Sequence, residues 1–153
     1  PNLALSTNKN KDFVASIDGA LVNLGNTSIS YSPETVASSL FVYSPKENFQ
    51  IGFLSKFVGE QYMGNIDSEA SKLDSFFVND LNVVYELRNI PVFKSILFNA
   101  LVNNIFDVKY VSNGYFFTYD DDFSNPGVIT TIEGAGYYPQ SGINFLAGAT
   151  LKF

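Results

Sequence analysis

The chain has no cysteine, no histidine and no tryptophan among its 153 residues, and a single methionine. Without Cys or His, a Ser-His-Asp or Cys-His nucleophilic arrangement, c-type haem attachment and the usual zinc ligand sets are impossible within it. Disulfides are excluded too, but the redox compartment stays open, because oxidising and reducing compartments alike hold cysteine-free proteins. Charge is scarce, at 16% of residues against a usual share of about 25%. The net charge of -6 and the want of any Lys/Arg run argue against a nucleic-acid partner, which would need a basic patch. No apolar stretch approaches the roughly 18 residues of a membrane helix. The chain begins at Pro1, with neither an initiator Met nor a signal-peptide core, so a mature product or, preferably, a piece of a longer polypeptide is expected.

What is present is apolar. Hydrophobic residues make up 46% and aromatics 16%, with 15 Phe and 9 Tyr, so either the core is large or something apolar faces the surface. The patterning has period 2. In "GINFLAGATLKF", Ile143, Phe145, Ala147, Ala149, Leu151 and Phe153 share one face, opposed by Asn144, Leu146, Gly148, Thr150 and Lys152. In "SKLDSFFVNDLNVVYEL", Phe77, Leu81, Val83, Tyr85 and Leu87 share a face broken only by Asn79. Asp74, Asp80, Asn82 and Glu86 lie opposite among Phe76, Val78 and Val84. "NFQIGFLSKFVGE" sets Phe49, Ile51, Phe53, Ser55 and Phe57 against Gln50, Lys56 and Glu60, and "KSILFNALVNN" sets Ile96, Phe98, Ala100 and Val102 against Asn99 and Asn103. "LALSTNKNKDF" alternates likewise, while "ETVASSLFVYS" is ambiguous in phase, with Phe41 and Tyr43 suggesting the apolar side.

These segments predict six strands, at about 2–14, 34–44, 48–60, 72–88, 94–104 and 142–153, mostly longer than the usual 5–6 residues. The connections at 44–47 and 89–93 are tight, and those at 15–33, 61–71 and 105–141 are long. Long alternating strands with short turns at one rim and long loops at the other are the pattern of a transmembrane antiparallel β-barrel, whose apolar face meets lipid and whose polar face lines the interior. Six strands would leave two bare edges in hydrocarbon, so an all-β segment of a larger barrel is expected.

"SKFVGEQYMGNIDSEASKLDSFFVNDLNVVYEL", "LVNNIFDVKYVSNGY" and "YYPQSGINFLAGATLKF" together resemble the C-terminal portion of TonB-dependent outer-membrane receptors of the Bacteroidetes type. The likeness covers most of residues 1–153, and "NNIFDVKY" followed by a last strand ending in Phe153 is its most specific pair. The resemblance implies the last six strands of a barrel of about 22 strands enclosing a plug. It implies a bacterial outer-membrane location and a role in active import of a scarce solute: siderophore-iron, cobalamin, a glycan or a peptide. The partners it implies are outer-membrane lipid, the plug and earlier strands of the same receptor, the TonB complex, the barrel-assembly machinery reading Phe153, and a surface lipoprotein. Lys56, Asp80, Asn82, Glu86, Asn99, Asn144 and Lys152 would then line the lumen.

Within the long loops, Tyr115, Phe117, Tyr119, Tyr137 and Tyr138 crowd both limbs of one connection, together with Phe116. Their amphipathic rings suit sugars, catechols or peptides, or equally an interface girdle and loop packing. Asp120, Asp121 and Asp122 offer adjacent hard oxygens to a calcium ion, but the spacing is not that of an EF-hand, and a solvated loop tip explains them as well. Carboxylate pairs such as Asp80 with Glu86, or Asp74 with Glu60, share a face, yet acids on the polar wall of a barrel are ordinary. No enzyme, cofactor or metal site is expected. The alternative reading is a soluble secreted β-sandwich or lipocalin-like binding module that buries the greasy face.

Overall fold

A computed structural model describes residues 1–153. Its centre is a six-stranded antiparallel sheet in which each strand pairs with its neighbours in chain order. The strands are β1 (Asn2–Leu5), β6 (Thr35–Lys46), β7 (Phe49–Val58), β10 (Phe76–Arg88), β11 (Ser95–Asn103) and β14 (Asn144–Lys152). There is no α-helix, only a 3-10 turn at Glu69–Ser71. Two connections are short: Glu47 and Asn48 link β6 to β7, and 89–94 link β10 to β11, where Asn89 takes φ 61. The other three connections leave from the opposite rim and carry all the remaining strands.

Those connections are not bare loops, and here the structure departs from the sequence reading. The first holds β2 (Lys9–Asn10) paired with β5 (Thr27–Ser28), and the hairpin of β3 (Val14–Ile17) and β4 (Ala20–Asn23). The second joins β8 (Gln61–Tyr62) to β9 (Lys72–Leu73), and the third is a tall hairpin of β12 (Val111–Asp121) and β13 (Thr130–Pro139). The expected strand 2–14 is accordingly cut short at Leu5, because apolar alternation gives out in "STNKNKD" and Asp12 turns the chain at φ 48. The expected strand 72–88 begins at Phe76, since Lys72 and Leu73 pair with the second connection instead.

Register decides whether the separate alternations add up to faces, because a slip of one residue would send each apolar row to the wrong side. They do add up. Tyr43, Ile51, Val83, Ala100 and Ala147 form one cross-strand row, and Phe41, Phe53, Leu81, Val102 and Phe145 form another. One face of the sheet is thus greasy from β6 to β14, and Leu3 and Leu5 of β1 continue it. It is broken by one polar row, in which Ser55 Oγ donates to Asn79 Oδ1 at 2.7 Å. The phase of β6 is settled by the same pairing: Phe41 and Tyr43 lie on the greasy side.

No second layer covers this face. Phe145 is 81% exposed and Phe41 67%, and only 11 residues of the chain are buried. The accessible surface is 10054 Å², whereas a compact monomer of 16.9 kDa exposes about 7,700 Å². The small core that exists lies on the opposite face near the long-loop rim. There Val58, Phe76 and Val78 pack with Val36, Val108 and Tyr110, and the rings of Phe76 and Tyr110 stand 4.4 Å apart.

Candidate functional site

The side of the sheet away from the greasy face gathers every residue that the sequence placed in a lumen. Lys56 lies opposite Val78, Asn82 opposite Leu101, Glu86 opposite Leu97, Asn99 opposite Gly148, Asn144 opposite Asn103 and Lys152 opposite Ser95. Asp80 shares the face with Asn82 two residues on. Most of these groups have defined partners. Glu86 sits 2.7 Å from Arg88 and 3.9 Å from Lys152, and Arg88 reaches Glu47 at 3.8 Å, so charge concentrates at the short-turn rim. Asn99 leans over Gly148, where any side chain would strike its amide. Asn144 accepts a hydrogen bond from Asn103 at 2.9 Å.

One carboxylate pair separates, while Asp74 and Glu60 directly flank the Gln61–Leu73 pairing. Six residues of strand put Asp80 and Glu86 about 20 Å apart, beyond the reach of a shared proton. Asp80 instead accepts the Asn104 amide at 2.8 Å, and Glu60 pairs with Lys72 at 3.2 Å. No group of three His, Cys, Asp or Glu residues is gathered at metal-binding spacing. Of the three loop-tip acids, Asp120 accepts the hydroxyls of Thr131 at 2.6 Å and Ser16 at 2.9 Å, and these bonds hold its carboxyl below the usual range. Asp121 accepts the amides of Phe123 and Ser124 and so shapes the turn between β12 and β13.

"NNIFDVKY" builds a clamp. Asn104 is buried and takes φ 49, a left-handed conformation that Asn tolerates better than most residues. Its Nδ2 donates to Val108 O at 2.8 Å and to Ser141 O at 3.3 Å, while its Oδ1 accepts the Val108 amide at 2.9 Å. Ile105 N–H reaches back to Asn79 O at 2.8 Å. Asp107 accepts the Ile143 amide at 2.8 Å, and Lys109 Nζ lies 2.9 Å from the same carboxyl oxygen. The outgoing and returning limbs of the third connection are thereby pinned to each other and to β10, and that pinning aims β14 at β11.

The bond from Lys109, then that from Ile143, lowers the Asp107 pKa. A lowered folded-state pKa contributes stability that is complete above the unfolded value, near 3.9, and is lost as pH falls through the folded one. Docking of the two limbs should therefore be constant above about pH 5 and weaken below about pH 4. The Ile143 amide resonance followed from pH 6 to 2 should titrate with a midpoint under 3.9, and Asp107→Asn should remove that titration. A midpoint at or above the ordinary value would contradict the clamp.

The tall hairpin organises the other two connections. One of its faces docks: Phe116 lies against Gly64, Tyr137 Oη donates to Ala70 O at 2.9 Å, and Ser68 bonds to Glu133. Asp18 accepts the Thr131 amide at 2.8 Å, and Tyr31 Oη donates to Gly114 O at 2.6 Å. The opposite face carries Tyr115, Phe117, Tyr119 and Tyr138. Tyr115 and Phe117 stack at 6.3 Å and 13°, Phe117 and Tyr119 at 6.3 Å and 19°, and Tyr138 stands 6.1 Å from Tyr115. Opposite Tyr115 and Phe117 are Gly136 and Gly134, whose missing side chains let the rings lie across the hairpin. Four of the five aromatics singled out from the sequence thus form one exposed ladder, and Tyr137 is on the docking face.

No family model matches the chain, and no curated protein or solved structure matches it either.

Proposed function

We propose that the six-stranded sheet is a wall segment of a transmembrane β-barrel, part of a TonB-dependent importer in the bacterial outer membrane. The observation that carries this reading is the greasy face, continuous in register over the sheet and left uncovered. The open edges at β1 and β14 would pair with further strands of a barrel of about 22 strands. Short turns at one rim and structured connections at the other match periplasmic turns and extracellular loops. In this reading the greasy face sits in lipid, and Lys56, Asp80, Asn82, Glu86, Asn99, Asn144 and Lys152 hydrate the lumen and hold the plug. Phe153, its ring 5.0 Å from Phe93 of the short connection, marks the periplasmic interface where assembly machinery engages. The aromatic ladder faces incoming solute, whether siderophore-iron, cobalamin, glycan or peptide. A soluble sandwich would need a second sheet over the greasy face, and the uncovered face favours the barrel.

Phe145 and Leu146 are neighbours on opposite faces, and both are well exposed. Because the chain has no Trp, Phe145→Trp and Leu146→Trp each introduce a single reporter. In micelles of a brominated detergent, fluorescence should be strongly quenched at 145 and weakly at 146. A chain that stays monomeric in plain buffer, with the indole of the Phe145→Trp variant already shielded, would be the soluble module instead.

A further inference from the structure

We infer that the first and second connections enclose a binding site for a neutral, hydroxyl-rich saccharide. They surround a cavity of about 510 Å³, within the usual range for small-ligand sites. Phe57 and Tyr62 are the only hydrophobic residues among the 13 that line it. That composition discriminates. An apolar ligand would find only two hydrophobic side chains, whereas a sugar ring presents C–H faces to aromatic rings and hydroxyls to the polar groups around them. Gln61 and Ser75 offer an amide and a hydroxyl, and the Tyr62 phenol adds another hydroxyl. Burial and the nearby Asp67 raise the Tyr62 pKa and keep that phenol a donor.

Charge narrows the class further. The lining holds Glu34, Glu60 and Asp67 but only one cation, Lys9. Lys9 is already committed, donating to Ser28 Oγ at 2.8 Å and standing 3.8 Å from Glu34. An anionic ligand therefore meets net repulsion. The acids are occupied as well: Glu60 faces Lys72 at 3.2 Å, and Asp67 accepts the Ser28 amide at 2.8 Å. What remains open to a ligand is neutral hydrogen-bonding capacity beside two aromatic side chains.

The cavity lies at the long-loop end of the greasy face, since Thr35 and Phe57 in its wall belong to that face. The saccharide could accordingly come from solution or from the headgroup of a glycolipid. The inference rests on the cavity alone and survives if the sheet proves not to be a barrel wall. It is tested by saturation-transfer NMR on the chain in a sugar-free detergent with maltotriose as probe. Sedimentation with phosphatidylcholine vesicles, with and without monoglucosyl diacylglycerol, supplies the lipid arm. Transfer from maltotriose identifies a free sugar, and glucolipid-dependent sedimentation identifies a headgroup. Either signal should weaken about tenfold or more in Gln61→Ala/Tyr62→Phe, which removes two hydrogen-bonding groups but keeps the ring. Val92→Ala, exposed on the short connection at the opposite rim, should leave it unchanged and so report on folding. Silence in both arms, glucuronate binding as well as maltotriose, or full binding by the double variant would each overturn the assignment.

Discussion

Val83→Lys is expected to destabilise the chain in lipid by about 2–4 kcal/mol, whereas Val84→Lys, one residue along the same strand, should cost less than about 1 kcal/mol. Both valines are half-buried in the middle of β10, so strand propensity and depth are matched. Their cross-strand neighbours differ. Val83 stands between Ile51 and Ala100 on the greasy face, and Val84 stands between Gln50 and Asn99 on the polar one. If the sheet is a barrel wall, a lysine at 83 has to carry its ammonium into hydrocarbon or snorkel past several apolar rows, while at 84 it meets amides and water. Denaturant titration of the chain refolded into lipid vesicles measures both costs. Equal costs, or the larger cost at 84, would remove the lipid from the argument.

How much of this was legible beforehand follows from where the alternation is clean. β7, β10, β11 and β14 were readable to within a few residues, because apolar residues alternate with polar ones along strands of 9 to 13 residues, which gives the pattern room to repeat. Although β6 runs on to Lys46 and the turn itself is Glu47–Asn48, a tight link was readable from the turn residues in "SPKE" at 44–47. The ribbons inside the long connections were not, because their strands are two to four residues long, apart from the tall hairpin, and their pairing is supplied by docking rather than by their own faces. One of them had left a signal. "DG" at 18–19 sits between "VASI" and "ALVN", and both residues adopt positive φ, 52 and 76, as a two-residue hairpin turn demands. The tall hairpin was obscured because glycines occupy alternate positions of β13, where a strand signal would show side chains. Those glycines are the space that Tyr115 and Phe117 fill. The small core was hidden for a related reason: Val36, Val58, Phe76 and Val78 lie on the face read as polar, and only a returning segment, Val108–Tyr110, makes them a core.

That returning segment depends on one side chain, which leads to the second large effect. Asn104→Ala is expected to loosen the third connection by about 3 kcal/mol, from three side-chain hydrogen bonds at roughly 1 kcal/mol each with a further contribution from holding alanine at positive φ. The loss should be local. Val108 would have both its amide and its carbonyl stripped of partners, Ser141 its carbonyl, and the covering of Phe76 by Tyr110 would follow. Hydrogen exchange should accelerate by two orders of magnitude or so at Ile105, Val108 and Ile143, while amides at the centre of β7 and β10 stay protected. Asn104→Gly separates the two contributions, because glycine accepts the left-handed conformation at no steric cost and loses only the hydrogen bonds. It should fall between wild type and alanine, short of alanine by about 1 kcal/mol. Asn104→Asp keeps the acceptor for Val108 N–H but sets a carboxylate against two carbonyl oxygens, so it should resemble alanine at neutral pH and recover on acidification. Because Asp107 gives up its own contribution in that same direction, the recovery is cleanest with Asp107→Asn in the background. If all three substitutions left exchange at Ile143 untouched, the clamp would not be what aims the last strand.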